Sequence, residues 1–369
     1  MNAERLRMLA QNLREEMEAV GVRSALQQLQ QGLEGRVNQP ADPNPQATIV
    51  EAVSALGGLA EVASNELPVG DRQILDDTDL SPYLGQRLLD TVTGILQRNE
   101  MTPAVALDEI RPLVEHVDSV ASQLAALVNA LSFLHVEEDR LDHDCEIAVT
   151  IPRSEVDEEL DQLGLEFREI QSILQPFQEV LAGHRAPIHV RTIASSNFTV
   201  FVAAAPVWAL GVVKAIQMIV DTYSTILDIR IKRNDLAAAS VPEEILAPLD
   251  AHANERMATQ IDSYATELAE VAVAADAGRK NELVKALRIA LNKIANRIDH
   301  GYTIDVRTPE LPAPAEEADD DEAADTELRE LYDVIRQVSA VVERFEVTGD
   351  PILSLPEGDP PGQPNEAAG

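Results

Sequence analysis

Cysteine and aromatic residues are scarce in this chain of 369 residues. Cys145 is the single cysteine, so no disulfide can form within the chain. The chain also lacks the glycine-rich patterns GxxxxGK[ST] and GxGxxG, which bind nucleotide phosphates, and it has no CxxC or HxxxH pair for a metal ion. These absences exclude disulfide-rich scaffolds and argue against the common nucleotide-binding and zinc-binding classes.

Positive charge is also in short supply. Asp and Glu total 64 against 29 Lys and Arg, which gives a formal net charge of −35. A protein this acidic repels nucleic acid unless it carries a local basic patch, so we expect no nucleic-acid partner. The first residues, MNAERLRMLAQNLREEM, contain no apolar run typical of a signal peptide. Together with the lone cysteine, this predicts a cytoplasmic location.

One uncharged stretch, residues 192–213, is long enough to span a bilayer. It contains Ser195, Asn197 and Pro206, and its first half alternates apolar and polar residues in the manner of β-strands. This pattern favours a buried core over a membrane span, so we expect no stable membrane insertion.

The first third of the chain has a helical pattern. Apolar residues at spacings of three and four predict an amphipathic N-terminal helix over residues 1–33. Several prolines then predict a linker over residues 34–47. Further along, Thr102 and Pro103 place a capping residue before a proline suited to the first helical turn. Residues 48–143 are therefore predicted to form a helical bundle.

Four later segments alternate with the period of a β-strand. They cover residues 144–151, 188–193, 198–204 and 302–307. A helix after the first strand and three helices before the last give the order β-α-β-β-α-α-α-β. This is a ferredoxin-like order in which a long helical hairpin, residues 242–298, extends the second helical connection. We predict an α+β, predominantly α-helical protein, with an N-terminal helical bundle and a small, mostly antiparallel four-stranded sheet.

The alternation also places a set of polar side chains on one face of that sheet. We expect this face to be open to solvent, because the pattern implies that helices cover the other. Its members are Glu146, His189, Arg191, Asp305 and Arg307. The run from Asp142 to Glu146 contains metal-capable residues, but neighbours on a strand point to opposite sides. A polar lead-in to the strand is the favoured interpretation, and no metal or cofactor is expected.

One strongly basic helix, residues 279–298, stands out in this acidic chain. Its cations are a candidate interaction surface: Arg279, Lys280, Lys285, Arg288, Lys293 and Arg297. The preceding predicted helix is strongly acidic, and Gly278 is expected to turn the two helices antiparallel. Packed helix axes lie about 8–10 Å apart, so attraction between the two survives salt screening. We therefore favour internal charge pairing across the hairpin over an external binding surface.

Residues 309–325 form an acidic linker that is predicted to be disordered. Beyond it, a regular apolar stripe predicts a C-terminal heptad-like helix at residues 326–346. The stripe consists of Leu328, Leu331, Ile335, Val338, Val342 and Phe345. A helix this short is unstable alone and must dock. We favour docking on a second copy, because amphipathic helices at both ends of a chain suit an oligomer. Residues 347–369 are rich in proline and are predicted to be a disordered tail.

These patterns contain no catalytic constellation, so function has to be argued from surfaces. The favoured hypothesis is a non-enzymatic assembly or regulatory protein that acts through helix-mediated protein–protein interaction, with a protein partner or a second copy as the ligand. One alternative is an enzyme or ligand sensor with a pocket between the sheet and the helical bundle. Another is a membrane-associated effector that uses residues 198–220 or the basic helix.

Overall fold

The computed structural model describes most of the chain and divides it into two compact units, Met1–Asp139 and Arg140–Gly369. The described residues are 3–67, 69–141, 144–156, 159–194, 198–239, 241–271, 277–309, 322–342 and 349–358. The predicted α+β, predominantly helical fold with a small four-stranded antiparallel sheet is confirmed.

The first unit, within the described residues, is built from helices. They are α1 (Ala3–Val20), α2 (Val22–Asn38), α3 (Asn44–Leu56), α4 (Val69–Asp77), α5 (Gly85–Arg98) and α6 (Pro103–Phe133). Gly21 adopts a left-handed conformation (φ 70°) and divides the predicted N-terminal helix into α1 and α2. Leu13 on α1 and Leu29 on α2 are buried in the same apolar core as α6. The N-terminal helix therefore belongs to the bundle, which differs from the separate tethered element that we expected.

The second unit contains the sheet and five further helices among the described residues. Its elements are β1 (Cys145–Thr150), α7 (Leu160–Ala182), β2 (Val190–Ala194), β3 (Thr199–Ala204), α8 (Pro206–Ala238), α9 (Glu243–Glu270), α10 (Ala277–Asp299), β4 (Thr303–Arg307) and α11 (Glu322–Val342). The strand order is β2-β3-β1-β4, and every neighbouring pair is antiparallel. This is the order that a ferredoxin-like chain path produces.

Helix α10 lies at the centre of the second unit. The apolar face of the sheet, which includes Ile147, Val202 and Val306, joins the core to which α7 and α8 contribute. Helix α10 packs against α7, α8 and α9. All its residues from 291 to 299 are buried, the polar ones included. A helical segment buried on all sides must find a partner for each polar side chain, and those partners define the candidate site below.

Helix α8 is the one described helix that is long and apolar enough to cross a bilayer. More than half of its most apolar window, 56%, is buried inside the fold. A core helix of a globular protein has the same composition and burial.

The polar face of the sheet differs from the expectation of an open surface. Glu146 is 1% exposed and Asp305 is 6% exposed, whereas His189 and Arg191 on the edge strand side are exposed. The Glu146 carboxylate lies between two guanidinium groups, with Nε of Arg191 and Nε of Arg307 each 3.3 Å away. Ion pairing allows this carboxylate to be buried, so alternation alone did not predict its solvent access.

Helix α11 docks on its own chain, which differs from the expected docking on a second copy. It packs against α8 and β4, and its residues Tyr332 and Ile335 are fully buried. The hydroxyl of Ser339 donates to the carbonyl of Val306 at 3.3 Å. Leu328, Leu331 and Val338 pack against the same core, and Phe345 lies outside the described residues.

Candidate functional site

Residues 349–358, here called the strap, form an extended segment that packs against α8, α9 and α10. Its side chains Ile352, Leu353 and Leu355 are each 5% exposed and belong to the core of the second unit. The strap falls inside the region, residues 347–369, that we expected to be a disordered tail; residues 359–369 lie outside the described part. Three apolar side chains in four consecutive positions supply the burial that ordering the segment requires.

Asp299, the last residue of α10, connects the strap to the core. Its Oδ2 accepts hydrogen bonds from the main-chain N–H groups of Ile352 and Leu353 at 2.7 and 2.6 Å. Its Oδ1 accepts from Nη1 of Arg230 at 2.5 Å and from the hydroxyl of Tyr223. A buried carboxylate is stable only when such partners replace its lost hydration, and two of the four partners belong to the strap.

Arg230 is the buried cation of this network. Its side chain is 1% exposed, and it donates to the Tyr223 hydroxyl and to the carbonyl of Gly349, the first residue of the strap. Burial, and then the negative charge of Asp299, raises the pKa of Tyr223 well above its usual range. Tyr223 therefore stays protonated and serves as a hydrogen-bond donor to Asp299.

Two asparagines bind the middle of the strap through its main chain. Asn254 on α9 accepts from the N–H of Ser354 at 2.7 Å and donates to the carbonyl of Ile352 at 3.1 Å. Asn296 on α10 accepts from the N–H of Leu355 and donates to the carbonyl of the same residue, both at 3.0 Å. The two amides thus act as a neighbouring strand would, since each supplies both a donor and an acceptor.

The end of the strap is held by main-chain and carboxylate contacts. Asn292 donates to the carbonyl of Pro356 at 2.8 Å. Glu357 accepts from Nδ2 of Asn296 at 2.6 Å, and its other oxygen lies 3.7 Å from Nη1 of Arg297. We call the surface made by Arg230, Asn254, Asn292, Asn296 and Asp299 the strap groove.

Glycines mark both ends of the strap. Gly349 and Gly358 have φ values of 85° and 72°, in the left-handed region that favours glycine. A Cβ atom at position 349 would also lie 2.3 Å from Nδ2 of Asn234 on α8. The start of the strap therefore favours glycine for its backbone angles, and a Cβ atom there would also require the Asn234 side chain to move.

The sequence contains a signal for this groove that we did not use. Asn292, Asn296 and Asp299 are spaced by four and three residues, so they share one face of α10. Three polar side chains with hydrogen-bonding capacity on one face of the C-terminal half of α10, where the other residues are apolar or cationic, indicate a polar docking face. The cations Lys293 and Arg297 are neighbours of these residues in the sequence.

Those cations are paired internally, but mostly with a different helix from the one we predicted. The described contacts are Lys293 with Glu169 at 2.6 Å, Arg297 with Glu166 at 3.2 Å, Arg279 with Glu179, and Arg288 with Asp262 at 2.5 Å. The first three carboxylates belong to α7, and Asp262 belongs to α9. Side chains of Lys293 and Arg297 are 5% and 9% exposed, so these two cannot form an external binding surface. Lys280 is half-buried and Lys285 is exposed.

The substitution Lys293→Gln is expected to lower the free energy of unfolding by about 1–3 kcal/mol, because a neutral amide would face the largely buried carboxylate of Glu169. Fluorescence of Trp208, which is the single tryptophan and is buried in the second unit, reports this transition in urea. The control is Arg288→Gln, which breaks an exposed pair and should cost at most about 1 kcal/mol. Equal losses in the two variants would contradict the difference in burial.

The second unit also has an apolar cavity of about 230 Å³ between α7 and strands β2 and β3. Its walls include Phe167, Ile170, Val190 and Ile193, with Arg168 at the same site. This cavity lies between the sheet and α7 of the same unit, whereas the ligand-sensor hypothesis placed its pocket between the sheet and the helical bundle of residues 48–143. The described residues that line it are apolar except for Arg168 and Gln171.

A cavity of about 300 Å³ that strap residues help to line is polar. His300 Nδ1 lies 3.1 Å from Oε2 of Glu155 in its wall, and Leu353 of the strap lines it as well. Burial, followed by the charge of Glu166, raises the pKa of Tyr302 well above its usual range. This polar cavity therefore lies beside the strap groove.

Among the described residues, no group of three His, Cys, Asp or Glu side chains could hold a metal ion. Asp142 and His143 of the metal-capable run lie outside the described residues. Cys145 from the same run is buried, and this burial raises the pKa of its thiol to about 12, so it is not a reactive thiolate. Comparison with known protein families, with curated proteins and with solved structures finds no match for this chain.

Proposed function

We propose that the protein is a non-enzymatic regulatory protein that works through protein–protein interaction, and that the strap groove is its interaction site. The observation that carries this proposal is the main-chain binding of the strap. Side chains of α8, α9 and α10 pair with N–H groups at four consecutive strap residues and with four strap carbonyls. Side chains that bind peptide main chain in this way are suited to an extended segment from any protein.

In this proposal the strap binds the groove of its own chain and keeps it closed until a partner segment displaces it. Helix α11 anchors the chain shortly before the strap, so the local concentration of strap is high and an incoming peptide binds the groove only after competing with it. A groove whose occupant can be displaced is a regulatory arrangement, since release of the strap opens the site.

The test uses full-length protein and a fluorescent peptide with the sequence of residues 349–358. The double substitution Ile352→Asp and Leu355→Asp should displace the strap, because it would bury two carboxylates among apolar side chains. We expect fluorescence anisotropy to show that the peptide binds this variant on the order of tenfold or more tightly than it binds the wild-type protein.

The matched control is Ser354→Asp, because Ser354 is an exposed side chain between the buried Leu353 and Leu355 of the same strap. This variant should leave the groove closed and bind the peptide as weakly as the wild type does. If the double variant does not fold, Gly349→Val releases the strap from its first residue and serves in its place. A folded, strap-released variant that binds no peptide would overturn the proposal, as would a wild-type protein that binds it equally well.

A further inference from the structure

The strap sequence shows which partner segment the groove would accept, and this inference rests on the function proposed above. Its main-chain contacts constrain four positions. The N–H groups of Ile352, Leu353, Ser354 and Leu355 all donate to side chains of the groove. Proline at any of these positions would remove a donor: at 354 or 355 the accepting amide oxygen would lose that hydrogen bond, and at 352 or 353 Oδ2 of Asp299 would keep only one of its two.

The side chains of the strap divide into buried and exposed positions. Ile352, Leu353 and Leu355 are buried, whereas Ser354 points to solvent and is free to vary. Pro356 offers no N–H, and its carbonyl is the group that Asn292 binds. Proline suits this position because it costs no hydrogen bond and restricts the unbound peptide to extended conformations.

The residue after proline is selected by charge. The Glu357 carboxylate accepts from Asn296 and lies near the Arg297 guanidinium, as described above. Arg297 also pairs with Glu166, so the position offers one cation that is already shared. A single carboxylate fits here, but the net charge of −35 disfavours a segment with many acidic residues.

We infer that the strap groove selects partner proteins carrying an extended segment with two adjacent apolar residues, one unrestricted residue, a third apolar residue followed directly by proline, and then an acidic residue. The segment is recognised by its main chain at the first four positions and by its carboxylate at the last. Its binding displaces the strap of this chain, which has the same pattern.

A panel of peptides tests this pattern against the full-length strap-released variant. The parent peptide has the sequence of residues 349–358, and each other peptide changes one position. We expect Leu353→Pro and Leu355→Asp to weaken binding by about 10- to 100-fold, and Glu357→Lys by about 3- to 10-fold. The peptide with Ser354→Lys should bind within about twofold of the parent, because that side chain faces solvent.

The outcomes separate the two proposals. If the parent peptide does not bind, the proposed function fails and the pattern has no site to act on. If the parent binds but Leu353→Pro and Leu355→Asp bind equally well, the groove is a peptide site without this selectivity and the inference is wrong. If Leu353→Pro and Leu355→Asp weaken binding but Glu357→Lys does not, the acidic residue is not part of the pattern, and that element of the inference is wrong.

Discussion

Replacement of Asp299 by alanine is expected to lower the free energy of unfolding by about 3–5 kcal/mol, which is the range for breaking a buried ion pair. The Arg230 guanidinium would remain buried without its carboxylate, and Tyr223 would lose its acceptor. The N–H groups of Ile352 and Leu353 would lose theirs as well. Urea unfolding followed by Trp208 fluorescence measures the loss in the second unit.

The matched control for this prediction is Asp262→Ala. Asp262 pairs with Arg288, but the two side chains are 51% and 45% exposed, so its removal should cost at most about 1 kcal/mol. Asp299→Asn keeps the shape of the side chain but removes its charge. An asparagine amide cannot accept from the two strap N–H groups and from Arg230 at once. An Asp299→Ala protein as stable as the control would contradict the assigned network.

Replacement of Tyr332 by alanine is expected to cost about 3–5 kcal/mol, the range for truncating a buried aromatic side chain. Tyr332 is fully buried where α11 packs against its own core, and burial raises the pKa of its hydroxyl to about 12. Because α11 docks in cis, light scattering should show the same molar mass for wild type and variant across a range of protein concentrations.

The control here is Val334→Ala, two residues away on α11, where the side chain is 39% exposed. It should change stability by less than about 1 kcal/mol. A Tyr332→Ala protein of unchanged stability but lower molar mass would show that α11 is an assembly element between copies, which is the arrangement the sequence alone had favoured.

The sheet is the part of the fold that the sequence predicted best. Alternation in β1 through Ile147 and Val149 is a local property, and these side chains lie on the face that joins the apolar core of the second unit. The order of strands and helices along the chain then restricts the possible topologies, so the ferredoxin-like order found in the structure was among the few consistent with it. Additional helices between β3 and β4 leave this sheet unchanged.

Pairing between distant elements was harder to predict. The basic helix was expected to face α9, because a hairpin brings sequence neighbours together. Helix α7 is similarly acidic, and its Glu166 and Glu169 lie opposite Arg297 and Lys293 in the structure. Charge patterns show that a helix needs anionic partners, but they do not identify which of two acidic helices supplies them.

The strap was missed because its composition resembles that of a disordered tail. Proline and glycine surround Ile352, Leu353 and Leu355, and the segment shows neither helical nor strand periodicity in the sequence. Its partners are the asparagines at 254 and 296, which lie about sixty to a hundred residues away. Extended segments bound by side chains leave no periodic pattern, so their burial becomes visible only in three dimensions.

Amide hydrogen exchange at Ile352, Leu353, Ser354 and Leu355 tests most directly whether the strap occupies its groove in the free protein. Each of these N–H groups is bonded to a side chain of α9 or α10, so we predict exchange far slower than in an unstructured peptide. Asn296→Ala should speed exchange across the strap while the amides of α8 stay protected. Exchange of all four amides at the rate of an unstructured chain in the wild-type protein would contradict the closed groove and the regulatory role built on it.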